Sequence, residues 1–357
     1  MDSPSELDRR LETLKHTHAY QAYIQVREQV LKLKARQYPT STAQPSAYWK
    51  EELANFEYML DASPLIIEKL RHHCFHITGI RAYEYRSNRT AAERNLAARL
   101  DNLVGLEGSD LLVAEPSELG GFGFNIGGQL HNIDTLKFFE ALIALKRAGA
   151  LDIFRQDGPR RTVCEIGSGW GGFAYQFKCN FPNTTYALVD FPELFLFAAV
   201  YLRALFPEAK TMILEDPSEP IPDDLDFLFI PNTLYESWRP EQLDLTTNLV
   251  SFQEMTTTQV QSYVDWAAML KCSVIYSLNR DRSGYNEELT NVRDVMASRY
   301  SVRMIRMLEQ DYTNLAPKPK GRAQLTRKLR PIAKRLLGKK SAPNRSYQHA
   351  VGILNVE

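Results

Sequence analysis

A chain of 357 residues is long enough for about two structural units, and its 44% hydrophobic and 24% charged content excludes a disordered or fibrous protein. The longest apolar runs, such as LFLFAAVYL from Leu194, fall far below the roughly 18 residues of a membrane span, and the opening MDSPSELDRRLE lacks the basic start and apolar stretch of a secretory signal. The formal net charge of zero hides a segregation: residues 316–345 hold 11 of the 43 basic residues and none of the 43 acidic ones, so a compact basic segment is attached to an acidic remainder.

The first third reads as helical. SELDRRLETLKHTHAYQAYIQVREQVLKLK contains no Gly or Pro, and Leu7, Leu11 and Leu14 fall at helical spacing. Further helices are expected in SAYWKEELANFEYMLD and in SPLIIEKLRHHCFH, where Ser63 and Pro64 form a cap and first-turn proline. TAAERNLAARLDNLVG opens on the capping-box pair Thr90 and Glu93 and meets a stop at Gly105. Five glycines between Gly120 and Gly128 predict a loop, followed by a helix from Asp134 to about Arg147.

The pattern then switches to alternating strands and helices. RTVCEIG, TTYALVD, LDFLFIP, LDLTTN and CSVIYSLN read as buried strands. GGFAYQFKCNF, PELFLFAAVYLRALF, TTQVQSYVDWAAML and NEELTNVRDVMASRY read as the helices between and after them. Such alternation predicts an α/β fold with a doubly wound parallel sheet covered by helices on both faces. SVRMIRML and HAVGILNV are two late strands, read as an antiparallel finish with the basic segment between them. The boundaries expected are an N-terminal helical region over 1–119, a sheet domain over 120–315 and 346–357, and a basic amphipathic insertion over 316–345.

EIGSGWGG, after the first strand of the sheet, satisfies two glycine patterns. Gly167, Gly169 and Gly172 fit the dinucleotide loop, and Glu165, Gly167, Gly169 and Gly171 fit E-x-G-x-G-x-G. In both, glycine lets the backbone turn sharply and approach its ligand. Glu165 discriminates, because a carboxylate beside a pyrophosphate is unfavourable, whereas a cationic ligand such as a sulfonium with an amino group suits it. Asp190 lies 23 residues after Gly167 and can accept ribose hydroxyls of either ligand.

EIGSGWGG, LVDFPEL, NLVSFQEM with the later Tyr263, and YSLNR together resemble the bacterial sugar O-methyltransferase family, a group of class I S-adenosylmethionine-dependent methyltransferases. The resemblance covers roughly residues 120–280, and the basic segment matches no motif of the family. It implies a Rossmann-like class I methyltransferase sheet, with S-adenosyl-L-methionine held by Glu165, Gly167, Ser168, Gly169, Gly171, Asp190, Phe191, Asn232 and Asn248. The adenine contact belongs at the end of the third strand, for which TMILED and LDFLFIPN both qualify; the second, ending at Asn232, leaves normal spacing to LDLTTN. Residues after the fourth strand face the acceptor at the carboxyl ends of the strands. Glu254 is therefore read as general base or ligand of the acceptor hydroxyl, with Ser251 beside it. Ser251 and Glu254 are also three apart, which makes a helix-capping box the bland reading.

His131, in the glycine-rich loop, is the rival base. Tyr235, with Glu236 and Trp238, either stacks on a sugar or packs, and Tyr276 with Asn279 and Arg280 falls at the rim of the acceptor site. RHHCFH places His72 and His76 four apart, but zinc needs three or four ligands at tight spacing, so packing is the better reading and no metal ligand is assigned; a divalent metal at the acceptor is left open. Four scattered cysteines without a C-x-x-C pair fit reduced thiols and a cytoplasmic protein. In the basic segment Leu325, Leu329, Ile332 and Leu336 share a helical face, which fits either a solvated insertion or peripheral contact with anionic lipid at the inner membrane face or with an anionic glycan. It has no interleaved aromatic residue, so nucleic acid is not expected. The function that follows is S-adenosylmethionine-dependent methyl transfer to a hydroxyl of a nucleotide sugar, oligosaccharide or surface glycan. The competing readings are an NAD-dependent oxidoreductase or epimerase on the same glycines, and a non-catalytic binding protein tethered by the basic segment.

Overall fold

The computed structural model describes residues 5–36, 44–154, 157–280, 291–307 and 347–355. The basic segment 316–345 and the amphipathic face assigned to it lie outside these residues. The helical first third begins with α1 (Glu6–Lys15) and α2 (His18–Ala35). The single run expected there is broken, because Thr17 accepts a hydrogen bond from the Tyr20 N–H and so opens a new helix. Next come α3 (Ala47–Asn55), three short helices α4 (Pro64–Glu68), α5 (Leu70–His73) and α6 (Phe75–Thr78), and α7 (Thr90–Glu107). Ser63 and Pro64 take the cap and first-turn positions expected of them. The Thr90–Glu93 capping box does not form: Arg89 precedes the first helical residue, no side chain caps the end, and the helix runs past Gly105 to Gly108, whose φ of +80° ends it. Gly105 meets no such backbone demand, which is why it does not stop the helix.

The glycine-rich stretch is a small hairpin, not an open loop, formed by β1 (Phe124–Ile126) and β2 (Gln129–His131) around Gly127 and Gly128, both at positive φ. Helix α8 (Ile133–Arg147) follows, capped by a box between Asn132 and Thr135. Between Ile133 and Leu145 it is buried all round except at Lys137. The α/β part then alternates β3 (Arg161–Ile166), α9 (Gly172–Asn180), β4 (Thr184–Asp190), α10 (Phe195–Leu205), β5 (Thr211–Ile213), β6 (Phe227–Pro231), β7 (Leu245–Leu249), α11 (Thr257–Met269), β8 (Val274–Asn279), α12 (Val292–Met296), β9 (Tyr300–Ile305) and β10 (Gln348–Leu354). Of the helix expected in NEELTNVRDVMASRY, residues 286–290 lie outside the described residues; α12 ends at Met296, and Tyr300 already belongs to β9.

The eight strands form one sheet in the order β5-β6-β4-β3-β7-β8-β10-β9. β10 runs antiparallel to both of its neighbours, which is the antiparallel finish expected from the late strands. The strand order reverses between β3 and β7, so a crevice opens beyond their carboxyl ends. Both candidate third strands are present: β6 pairs with β4, and β5 is an extra edge strand outside it. Asn232 thus follows the strand that lies beside β4.

The N-terminal helices share the core of the sheet domain. Tyr23, Val26, Val30 and Leu33 of α2 join one apolar cluster with Phe195, Phe197, Val200 and Leu202 of α10 and with β3 and β4. Burial at roughly 25 cal/mol per Å² makes such a face the main attachment of the region. Tyr23 adds a polar tie, since its hydroxyl donates to the Met59 carbonyl at 3.0 Å and accepts from the Ala62 N–H at 2.7 Å, all in the interior. Replacing Tyr23 with Phe leaves that N–H and carbonyl buried without partners. Tyr23→Phe is expected to lower unfolding free energy by about 1–3 kcal/mol in a denaturant titration.

Candidate active site

A cleft lies over the carboxyl ends of β3, β4, β6 and β7. Glu165, Gly167, Ser168, Gly169, Asp190, Phe191, Asn232, Ser251 and Glu254 all line it. Nine residues singled out in the sequence are thereby brought together. Gly171 and Asn248 support the cleft from behind instead. Gly171, at φ +82°, is the residue before α9, and a side chain there would press on Ala198 of α10. Asn248 donates to the Ile166 carbonyl at 2.7 Å and to Ser251 Oγ at 2.6 Å, and its own oxygen accepts from Phe252 N–H and Asn279 Nδ2. It pins the loop after β7 to the glycine loop.

The glycine loop is shaped by its backbone. The Gly167 N–H donates to the Val189 carbonyl at 2.8 Å, and the Gly169 N–H to Asp190 Oδ2 at 2.7 Å. Gly167 has φ +70°, and a Cβ there would sit 1.9 Å from Ser251 Oγ. Only glycine satisfies both demands.

Three carboxyl groups in the cleft are shifted upward, Glu165 and Asp190 buried and Glu254 half-buried. Burial pushes Glu165 up to about 8; the Tyr186 hydroxyl, donating to it at 3.0 Å, offsets part of this, the charge of Asp190 adds to it, and that of Lys137 opposes it. Burial raises Asp190 to about 7 against the pull of the Gly169 and Phe191 N–H groups. Burial raises Glu254 to about 7, opposed by the Trp49 indole, which donates to Oε2 at 3.2 Å, and by Gln253 and Arg280, while Glu52 adds to the rise. Ser168 Oγ is also buried; it lies close enough to Asp190 to offset some of that rise but makes no well-formed hydrogen bond. Buried acids and an orphaned hydroxyl around an open glycine loop form a cradle for a polar ligand that carries positive charge.

Ser251 and Glu254 do not form a capping box. Ser251 Oγ is held by Asn248, and Glu254 turns to Trp49, because helix α11 starts two residues further on with its own box between Thr256 and Gln259. The bland reading of Glu254 is therefore set aside on geometry.

Three other sequence assignments fall outside the cleft lining. His131 is buried in the hairpin, its Nδ1 without a partner, and burial lowers its pKa. Tyr235 packs on Tyr263 and Trp266 at ring separations of 4.5 and 5.4 Å. Tyr276 lies within the sheet, its hydroxyl 2.8 Å from His349 Nδ1. In each case an apolar neighbourhood recruits a side chain that sequence position alone placed near the acceptor. His72 and His76 sit on two different short helices and contact aromatic rings, and among the described residues no group of three or more His, Cys, Asp or Glu is arranged to hold a metal.

The cleft also contains residues that the motifs did not single out. Lys137 of α8 lines it, and so do Ser46 and Trp49 at the start of α3, Ile77 and Thr78 of α6, and Tyr347. Lys137 had a signal, as the one cation in the apolar run of α8 before Lys146. Trp49 had none, since nothing in the local sequence of α3 indicates what it covers.

The sheet is doubly wound and Rossmann-like with one antiparallel strand, preceded by a helical region. No family model and no curated protein matches the chain. Among solved structures, phosphoethanolamine N-methyltransferase 2 of Haemonchus contortus with S-adenosyl-L-methionine is similar over 62% of this chain and 57% of that chain, at 11% identity and a TM-score of 0.35. WbdD is similar over 62% of this chain and 39% of its own, at 12% identity and a TM-score of 0.36. The magnesium protoporphyrin IX methyltransferase ChlM of Synechocystis PCC 6803, with S-adenosylmethionine bound, is similar over 64% of this chain and 87% of its own, at 9% identity and a TM-score of 0.37. The matched regions thus span less than two thirds of the first two proteins.

Gly167→Ala forces an L side chain into positive φ and into Ser251. It is expected to abolish binding of S-adenosylhomocysteine in isothermal titration while far-ultraviolet circular dichroism stays that of the unsubstituted protein.

Proposed function

We propose that this protein is an S-adenosylmethionine-dependent O-methyltransferase that acts on a hydroxyl of a sugar, as a nucleotide sugar, an oligosaccharide or a surface glycan. The observation that carries the reading is the set of three carboxyls, buried Glu165 and Asp190 and half-buried Glu254, around one glycine-loop cleft. Two of them flank the loop, where a cationic, ribose-bearing ligand gives them partners. A dinucleotide would bring its pyrophosphate against the same acids, which disfavours the oxidoreductase reading.

The ligand supplies a methyl group on a sulfonium, which an oxygen nucleophile can displace. The residues of this chain do the rest. Glu165 and Lys137 face the charged amino-acid portion, Asp190 the ribose, and Asn232 the adenine at the end of β6. Glu254 accepts the proton of the attacking hydroxyl. Burial brings it close to neutrality, where a general base works best near pH 7. Trp49 donates to one of its oxygens and offers an aromatic face to the apolar C–H side of a sugar ring. Residues of the N-terminal helices line one side of the cleft, where they would hold the acceptor against the sheet and favour in-line geometry. Among the described residues no helix is long and apolar enough to cross a membrane. A cytoplasmic location and contact of the basic segment with lipid or glycan belong to the proposal.

The raised pKa values give this reading a proton signature. A bound cation favours the ionised carboxyls, so protons leave as it binds. Affinity for S-adenosylmethionine is expected to rise from pH 6 to about 8, and titrations in buffers of different ionisation enthalpy should report proton release near pH 7. The unliganded protein has the opposite trend: the folded state holds protons more tightly than the unfolded chain, so that share of stability is lost as pH rises through about 7–8.

Glu254→Gln tests the base. Methyl transfer to a panel of nucleotide sugars and glycans, read as a methyl-mass gain by mass spectrometry, is expected to fall about a hundred-fold or more. Binding of S-adenosylhomocysteine should change less than about two-fold, well under one hydrogen bond's worth. Full turnover by the variant would remove Glu254 from the mechanism, and absence of methyl gain in the unsubstituted protein with every acceptor class would remove the sugar.

A further inference from the structure

Arg71, in α5 of the N-terminal helical region, is fully buried. Its Nε donates to Glu115 Oε1 at 2.7 Å and its Nη2 to Asp134 Oδ2 at 2.8 Å. Its guanidinium carbon lies 3.7 Å from the ring centre of Trp170 and 4.8 Å from that of Phe122. Trp170 belongs to the glycine loop itself, between Gly169 and Gly171, and lines the cleft. Nη1 meets no hydrogen-bond acceptor, so aromatic faces take the place of polar partners for part of the cation.

Asp134 has a second duty. Its other oxygen, Oδ1, accepts from Lys137 Nζ at 2.8 Å, and Lys137 reaches the cleft near Glu165. One guanidinium therefore fixes two cleft elements by separate routes. Through Trp170 it holds the course of the glycine loop, and through Asp134 it aims the Lys137 ammonium. Glu115 is in turn held by Asn132, the cap of α8, whose Nδ2 donates to Oε2 at 2.8 Å. A lysine could not replace this geometry, because the planar fork and the stacking face are both used.

We propose that Arg71 is a positioning residue for the amino-acid end of the ligand, and that the N-terminal helical region thereby sets the affinity of the cleft for a ligand carrying both an ammonium and a carboxylate. The inference rests on the S-adenosylmethionine reading given above. It separates two parts of the ligand. The nucleoside part contacts Asp190 and Asn232, which lie outside the ion-pair chain from Arg71 through Asp134 to Lys137; Asp190 meets the loop through the Gly169 N–H. The amino-acid part meets Glu165, Lys137 and the loop, which do depend on it.

S-adenosylhomocysteine carries the amino-acid tail, and 5′-methylthioadenosine has the same nucleoside without it. Both are titrated calorimetrically into the full chain. Arg71→Lys is expected to weaken S-adenosylhomocysteine roughly ten-fold or more, the scale of a charged hydrogen bond, and 5′-methylthioadenosine by less than about three-fold. Trp170→Leu keeps both ion pairs and removes the stacking face; it should give the same selective loss, smaller in size, and it decides the matter if Arg71→Lys does not fold. Equal weakening of both ligands would make Arg71 a general structural prop and overturn the proposal, and so would unchanged binding of S-adenosylhomocysteine. Failure of the unsubstituted protein to bind either ligand would instead overturn the S-adenosylmethionine reading on which it rests.

Discussion

The buried guanidinium of Arg71 is the constraint on which the arrangement of the cleft depends. Its charge is opposed by burial but held by Glu115 and Asp134, which outweigh that penalty and raise its pKa. A buried ion pair adds little net stability against a well-packed apolar substitute, yet removal of one partner strands a charge and costs about 3–5 kcal/mol. What the network contributes is uniqueness of arrangement. Four chain segments meet at one planar group: α5, the segment before the hairpin, the start of α8, and the glycine loop. Because the group is planar and its hydrogen bonds are directional, those segments have one mutual placement.

The carboxyls of the cleft show the complementary principle. Glu165 has a single hydroxyl donor, and Asp190 relies on backbone N–H groups of the loop that it helps to shape. They are acids withdrawn from water without a full counter-charge in the protein, which is why their pKa values climb. Such a deficit is destabilising in the free protein and favourable to a cationic ligand. The cleft thus holds an incomplete electrostatic balance, a common mark of functional sites.

Much of the sheet was legible from local pattern. Near-continuous apolar runs such as TTYALVD, short and rich in strand-favouring residues, read as strands covered on both faces, and they take those places. The glycine loop was legible because its backbone demands glycine at positions such as Gly167, and Glu165 and Asp190 line the cleft at the positions their spacing indicated. End signals were less dependable. Thr90 and Glu93 have capping-box spacing but no box, and the Ser251–Glu254 pair is diverted by stronger partners, Asn248 and Trp49, that come from elsewhere in the chain. His131, Tyr235 and Tyr276 were placed near the acceptor by sequence position, and packing draws them inward instead.

The sequence by itself determined the α/β class and the glycine loop, since each rests on periodicity or on a backbone demand within a few residues, while of two strand candidates it favoured the one before Asn232, which does lie beside β4. Only the tertiary structure decided that Lys137 and Trp49 enter the cleft, that Glu254 is free of the helix cap, and that Arg71 stacks on Trp170. Those facts join residues separated by dozens to hundreds of positions, and their partners are selected by burial and charge in three dimensions, which no local pattern encodes.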